Sequence, residues 1–228
     1  MKNINILYED DFCIIVNKPS GLAVQGGEGI KTSLDMLLLE YAGNRKPQPL
    51  LVHRLDRDTS GALLAAKGRD EAARFSRLLG SEKKAIKIYT AVCAGYPVKN
   101  EGIIKDELYI RGKPKKSETK YKVIQTSKID GLTSDPADYP AGNINEYSVL
   151  EIELSTGRMH QIRRHLAMNK NPILGDDKYG DFALNKKFRK ENGLKRLLLH
   201  ASRLIIKECG IDIHAPFPVD FNRYFSHN

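Results

Sequence analysis

Asp56 stands between Arg54 and Arg57 in the run His53-Arg54-Leu55-Asp56-Arg57-Asp58-Thr59-Ser60-Gly61. In extended backbone Arg54 and Asp56 point to one side, because strand side chains alternate with a period of two. A carboxylate among guanidinium groups stays ionised to low pH. An ionised, fixed aspartate can act as a nucleophile. The same residues are also good turn chemistry, and a surface turn at Asp58-Thr59-Ser60-Gly61 is the plain alternative. A second run, Thr156-Gly157-Arg158-Met159-His160-Gln161-Ile162-Arg163-Arg164-His165, gathers cations where a helix should begin. Cations there oppose the helix dipole. Arg158, His160, Arg163 and Arg164 therefore point to an anion, and Arg163 and Arg164 suit a phosphate or Asp56. The alternative is a solvated basic helix face. His160 and His165 miss the spacing of four that sets two imidazoles on one helical face for a metal. They read as a hydrogen-bond donor to phosphate and a core polar residue. Tyr89, in mid-strand after Lys87, is ordinary sheet packing or, beside a carboxylate, a ring that stacks on a base or moves a proton. Asp176 and Asp177 in the run 173–180 lack a third carboxylate at metal spacing, so they read as a turn cluster and no metal site is expected. No P-loop and no Gly-x-Ser-x-Gly is present.

The elements that must hold these groups follow from apolar patterning. Leu50-Leu51-Val52 and Ala62-Leu63-Leu64-Ala65-Ala66 flank the Asp56 run as two buried strands, so Asp56 sits on a loop between them. Residues 4–8 and 12–17 read as strands about Glu9-Asp10-Asp11, ended by Pro19 and Gly21. Thr32 or Ser33 caps a helix to Tyr41, with Leu34, Leu37, Leu38 and Tyr41 on one face. Asp70 caps a helix over 71–79 that Gly80 ends. Strands are expected over 86–94, two or three within 101–128, one over 146–154, and two more over 197–206 and 210–214. A helix is expected over 159–168, loop over 172–182, a basic helix or loop after that, and a surface excursion over 129–144. Strands outnumber helices and join through short connections, which gives an α+β class with an extensive, largely antiparallel sheet in a single domain over 1–228.

Of the 228 residues, 37 are Lys or Arg and 28 are Asp or Glu, a net charge of +9 that favours a polyanionic partner. The basic character concentrates in 105–128, with eight basic and three acidic residues, and in 183–207, with eight and one. Both are expected to meet that polyanionic partner. The apolar runs are far too short to span a bilayer, so no membrane association is expected. Cys13, Cys93 and Cys209 are odd in number and far apart, which suggests neither a zinc site nor a disulfide framework. With no apolar signal core near Met1, a reducing, cytoplasmic setting is the expectation.

Taken together, several runs resemble one family, the RNA pseudouridine synthases of the ribosomal large-subunit type. Asn17-Lys18-Pro19-Ser20-Gly21 is similar to the family's first motif, and His53 to Gly61 to the motif that carries its invariant aspartate. Lys87-Ile88-Tyr89-Thr90-Ala91 resembles the tyrosine strand, and Thr156 to His165 the arginine-bearing motif. Leu174 to Gly180 and Leu199-His200-Ala201 resemble the closing motifs. The resemblance implies the pseudouridine synthase fold, a mixed, largely antiparallel sheet flanked by helices and loops with a catalytic cleft across it. It implies an isomerase without cofactor or metal that detaches uracil from its ribose, turns it and rejoins it through carbon 5. Carried over, Asp56 is the nucleophile or base, and Arg54 fills the place of the flipped base. Tyr89 stacks on the uracil and takes the carbon 5 proton. Arg163 pairs with Asp56, and Ile162 or Leu199 packs on the base. His53, Thr59, Arg158, His160 and Arg164 stand in the same motifs and are expected to contact substrate. Gln25 to Gly29, Gly112-Lys113-Pro114 and Asp176 to Asp181 resemble the synthase C branch. The small N-terminal RNA-binding domain usual there is expected to be either absent or removed from this sequence. The expected partner is large-subunit rRNA, with tRNA as the alternative target and a catalytically silent RNA-binding protein as the alternative class. A monomer is expected.

Overall fold

The computed structural model describes residues 4–110, 113–128, 146–154 and 157–225. The excursion expected over 129–144, the pair Arg111-Gly112 and Ser155-Thr156 lie outside the described residues. The class is α+β, with the chain divided into two compact units, Met1–Lys87 with His200–Pro216, and Ile88–Leu199 with Phe217–Asn228.

The first unit is built around a strand that is apolar on both faces. Strands β1 (Ile6–Glu9) and β2 (Cys13–Lys18) form the expected hairpin. The Asp10 carboxylate tightens its turn by accepting the backbone N–H groups of Phe12 and Cys13. Helix α1 (Leu34–Ala42), strand β3 (Pro49–Leu51), strand β4 (Ser60–Lys67) and helix α2 (Arg69–Leu79) follow. β4 is buried from Ser60 to Ala66 because it has neighbours on both edges. β2 pairs with it antiparallel from Cys13–Ala66 to Lys18–Gly61, and β3 pairs antiparallel over Leu51–Ala65 to Pro49–Lys67. Strand β9 (Leu199–Ile206) meets it parallel at Ser60–His200 and Gly61–Ala201, and strand β10 (Ile211–His214) lies antiparallel on β9. The β4–β9 contact demands glycine at 61: its φ is +115°, and a Cβ there would lie 2.2 Å from the Ala201 carbonyl oxygen. Ala62, Leu64 and Ala66, alternate residues of β4, share a core with Cys13, Ile15, Leu204, Ile206 and the α2 residues Phe75, Leu78 and Leu79. In α1 the buried stripe is Leu34, Leu38 and Ala42. Tyr41 is exposed at its margin and donates its hydroxyl to Glu9. α2 starts earlier than expected. Gly68, at φ +90°, is its N-cap, and Asp70 sits in the first turn, where a negative charge favours the dipole without capping.

The second unit carries strands β5 (Ala85–Ala94, from Ile88 onward), β6 (Glu101–Ile110), β7 (Lys113–Lys128) and β8 (Glu146–Leu154) in the order β5-β8-β7-β6. β6 and β7 pair antiparallel, as do β7 and β8. Helix α3 (Gln161–Met168) begins two residues later than the pattern suggested, because His160 adopts the left-handed conformation with φ 54° and cannot be helical. Helix α4 (Phe182–Glu191) resolves the basic segment as a helix, capped by the Asp181 side chain accepting from the Leu184 N–H. The short helix α5 (Val219–Asn222), which the sequence reading did not anticipate, follows Pro218 and buries Phe221.

Candidate active site

In the first unit the site is a loop between two strands whose shape is set by backbone carbonyls. β3 ends at Leu51 and β4 begins at Ser60, so His53 to Thr59 have no ladder to hold them. Lys18 supplies the hold. It is fully buried, and its ammonium donates to the carbonyls of Pro19, Leu22 and Arg57, each at 2.9 Å. An ammonium has three N–H donors, and these three acceptors match them. The Gly21 N–H also donates to the Arg57 carbonyl at 2.9 Å, and the Ser20 hydroxyl to the Asp58 carbonyl at 2.7 Å. The run 18–22, seen in the sequence only as a strand stop and a motif, is therefore the cradle of the Asp56 loop. Within the loop the Thr59 N–H donates to the Asp56 carbonyl at 3.1 Å, closing a turn, and Leu55 is buried as its apolar anchor.

The loop's polar side chains divide by task. Arg54 is exposed, Asp56 is half-buried, and Arg57 lies 3.4 Å from Asp58. Thr59 is buried, and its hydroxyl has no hydrogen-bond partner among the described residues. His53 accepts the Leu64 N–H through Nε2 at 2.9 Å, which makes it a neutral ring protonated on Nδ1. Burial, aided by the Lys87 charge, pushes its pKa down to about 4. That bond gives His53 a framing task, tying the loop's start to β4. At the loop's other end the Ser60 hydroxyl lies 2.8 Å from His200 Nδ1, and His200 Nε2 lies 3.2 Å from the Ala215 carbonyl. A carbonyl only accepts, so Nε2 carries the proton and Nδ1 accepts from Ser60.

In the second unit the site is organised by a buried ion pair. Arg163, on α3, donates Nε to Asp176 Oδ2 and Nη2 to Asp176 Oδ1, both at 2.8 Å. Asp176 Oδ1 also accepts the N–H groups of Lys178 and Tyr179 at 2.9 and 3.0 Å. Burial alone would raise the Asp176 pKa; the Arg163 hydrogen bonds, the two backbone N–H groups and the Arg163 charge outweigh it and hold the carboxyl below its ordinary range. The Tyr179 ring lies under the guanidinium, 5.3 Å from Cζ to centroid, and its hydroxyl lies 3.0 Å from His160 Nδ1. Asn185 of α4 clamps the same loop, accepting the Gly175 N–H at 2.8 Å and donating to the Asp176 carbonyl at 3.0 Å. Gly175 and Gly180 allow this packing, since a Cβ would lie 2.0 Å from the Arg196 carbonyl in one case and 2.4 Å from the Asp176 carbonyl in the other.

α3 is itself pinned to β7. Gln161 accepts the Arg158 N–H and donates to the Glu118 carbonyl and the Thr119 hydroxyl. The Ser117 hydroxyl donates to the Asp106 carbonyl, so it accepts from His165 Nε2 at 2.9 Å. His165 is fully buried, as its core assignment required, and burial lowers its pKa. Arg158 is exposed, Arg164 half-buried, and Ile162, Leu199 and Tyr89 are buried, Tyr89 retaining 8% of its surface. The structure thus brings His53, Arg54, Asp56 and Thr59 together in one loop of the first unit. In the second it brings Arg163 and His160 together through Tyr179. Sequence reasoning missed Lys18, Gln161, Asp176, Tyr179 and Asn185 as framing residues. A lysine closing an otherwise apolar strand was the one available signal.

Comparison with known proteins gives this arrangement its class. Residues 12–168, which include Asp56, Tyr89 and Arg163, match the family described as RNA pseudouridylate synthase. The chain is 36% identical over 96% of its length to the ribosomal large subunit pseudouridine synthase C of Rickettsia prowazekii (strain Madrid E), covering 69% of that protein. It is 37% identical over 97% of its length to the protein of that name from Buchnera aphidicola subsp. Acyrthosiphon pisum (strain APS), covering 69% of it. Among solved structures, human RNA pseudouridylate synthase domain containing 4 superposes with a TM-score of 0.73 at 25% identity, covering 96% of this chain and 90% of that one. The chain belongs to the RNA pseudouridylate synthase family. It is an RNA pseudouridine synthase, an isomerase, with the fold its family resemblance implied.

Proposed function

We propose that this enzyme converts uridine to pseudouridine in large-subunit rRNA, with Asp56 as the essential residue and with the target base flipped out of its stack. The observation that carries the target is the identity, 36% over 96% of the chain, to a protein named for the ribosomal large subunit. What supports Asp56 is its loop. A carboxylate that must meet one atom of a sugar or base needs a fixed backbone, and Lys18, Ser20 and Gly21 bind the carbonyls of the two residues after it. The reaction is an isomerisation. The N1–C1′ bond breaks, C5–C1′ forms, C5 loses a proton and N1 gains one. In this reading Asp56 acts at the ribose or the uracil, and Tyr89 stacks on the uracil and receives the C5 proton. Arg163, whose guanidinium Asp176 holds, is the cation this reading assigns to Asp56. Arg54, exposed on the same loop, takes the position the base vacates. Ile162 or Leu199 packs on the base, and Thr59, Arg158, His160 and Arg164 contact substrate. Extruding a base costs a few kcal/mol, least in a single-stranded loop, and the net charge of +9 supplies phosphate affinity.

The test is pseudouridine mapping of large-subunit rRNA and total tRNA from cells lacking the enzyme, after incubation with the wild type and with Asp56→Ala. New sites in rRNA, absent with the variant, are the expected result. New sites in tRNA alone would overturn the target, and full activity of Asp56→Ala would overturn the chemistry.

A further inference from the structure

The structure treats the two basic stretches differently. In 105–128 four lysines, Lys105, Lys116, Lys120 and Lys122, are answered across the sheet. Lys105 lies 3.2 Å from Glu118, and Lys120 lies 3.3 Å from Glu153. Lys122 stands in register with Glu101 on one side and Glu151 on the other, and Lys116 faces Glu107. Opposite charges in facing positions stabilise a sheet, which accounts for these lysines without a ligand. In 183–207, Arg203 is held by Asp212 and Arg189 by Asp177, and Arg196 donates to the carbonyls of Leu197 and Leu199. Lys186, Lys187 and Lys190 of α4 have no ion pair among the described residues.

The face on which two of them sit is specific. α4 buries Leu184, Asn185 and Phe188. At 3.6 residues per turn, Phe182, Lys186 and Lys190 recur every four residues on another side, and all three are exposed, Phe182 by 63%. A lone exposed phenylalanine means little. This one heads a stripe of unpaired ammonium groups, so the surface is not an apolar patch of the kind that suits a protein partner. Its place is also fixed. Asn185, on the buried side, clamps the loop of Asp176, which orients Arg163. Phe182 follows Tyr179, whose ring lies under Arg163, by three residues, a span of at most about 11 Å.

We propose that α4 is an RNA-docking face: Lys186 and Lys190 contact backbone phosphates, and Phe182 stacks on an unpaired base neighbouring the target uridine. The inference rests on Arg163 marking the active site. An aromatic face accepts any unstacked base, while a base within a duplex has none to offer. The face therefore favours a single-stranded segment over a helix.

The experiment measures binding of a short single-stranded oligouridine, and of a duplex RNA of equal length, over a salt series. The proteins are the full chain, Phe182→Ala, Phe182→Trp and the double variant Lys186→Ala/Lys190→Ala, each checked for an unchanged melting temperature. Phe182→Ala should weaken single-strand binding about 5- to 150-fold and leave duplex binding nearly unchanged. Phe182→Trp should restore it. The double lysine variant should lower the slope of log affinity against log salt by about 1.4. Wild-type single-strand affinity in Phe182→Ala, or an unaltered slope in the lysine variant, would overturn the docking face. Pseudouridine formation in rRNA, measured in parallel on the wild type, separates the two readings. An inactive wild type refutes the rRNA target while the oligouridine result stands. An active wild type with unaffected Phe182→Ala binding refutes the docking face alone.

Discussion

Substituting Asp176 by Asn tests whether the buried pair is what orients Arg163. The Asp176 side chain keeps only 1% of its exposure, and its two oxygens accept four N–H groups: Arg163 Nε on Oδ2, and Arg163 Nη2, Lys178 N and Tyr179 N on Oδ1. An asparagine has one acceptor oxygen and one donor nitrogen. With its oxygen in the Oδ1 place it keeps three of the bonds, but its amide then meets the Arg163 Nε–H donor to donor, and the buried guanidinium loses the charge of Asp176. Breaking a buried pair by removing one partner costs about 3–5 kcal/mol. In a chain of this size that should lower the melting temperature by about 6–20 °C. The pH dependence has a definite sign. The folded Asp176 pKa is depressed, so the stability the ionised carboxylate contributes is present above its unfolded value near 4 and is lost as the pH falls below it. The variant should therefore lose the corresponding part of the acid limb in urea melts taken from neutral pH to about pH 3. Pseudouridine yield should fall through kcat, since Arg163 would keep its charge and lose its direction. A variant that melts within about a degree of the wild type and works at the wild-type rate would refute the reasoning, because the bidentate geometry would then be incidental.

Three further substitutions address the first unit. Lys18→Met keeps the length of the side chain and removes its donors; the Pro19 and Leu22 carbonyls lose their bond from Nζ while the Arg57 carbonyl keeps Gly21. A loss of about 2–4 kcal/mol is expected in urea denaturation, with a drop in kcat in the surviving folded fraction. Gly61→Ala places a methyl 2.2 Å from the Ala201 carbonyl at a φ of +115° and should cost more than about 4 kcal/mol, read as loss of soluble protein or of a cooperative melt. His53→Gln leaves an acceptor for the Leu64 N–H and removes the titration. Because the folded His53 pKa is lowered from 6.5 to about 4, the unfolded chain takes up the proton first, and stability should fall by up to about 3 kcal/mol as the pH drops from 6.5 to 4. The Gln variant should flatten that limb, and an unchanged pH profile would contradict the neutral, buried ring.

The strands were legible where burial made them uniformly apolar. β4 reads as Ala62 to Ala66 because it has a partner on each edge, and the loop carrying Asp56 follows from the two apolar flanks. The start of α3 was misplaced because periodicity cannot register one residue, His160, turning to positive φ. Linear order also hides the register that sets Lys122, in the basic run 105–128, opposite Glu101 and Glu151. Asp176 was visible, and its metal role was set aside for want of a third carboxylate, but nothing in a separation of 13 residues names Arg163 as its partner. Family resemblance supplied roles for Asp56, Tyr89 and Arg163; it supplied none for the groups that hold them.

Those holding groups share a physical logic. Lys18, Asp176, Gln161 and Asn185 are polar, buried and bonded mainly to backbone. Burying a charge is costly, and well-packed apolar residues of similar volume often give equal or greater stability. A chain selected for stability alone would have little reason to place an ammonium or a carboxylate in these positions. What such groups supply is direction. Three carbonyls around one Nζ, or four N–H groups around one carboxylate, admit one loop conformation each. The loops so defined are those carrying Asp56 and Asp176, neither of which lies in a helix or a strand. In the first unit the buried Lys18 ammonium holds the Asp56 loop from the end of β2, and in the second the buried Asp176 carboxylate holds its own loop and Arg163. Loss of a holding charge should therefore reduce stability and turnover together, whereas loss of Asp56, half-buried on a loop already fixed by its neighbours, should abolish turnover and leave the fold intact.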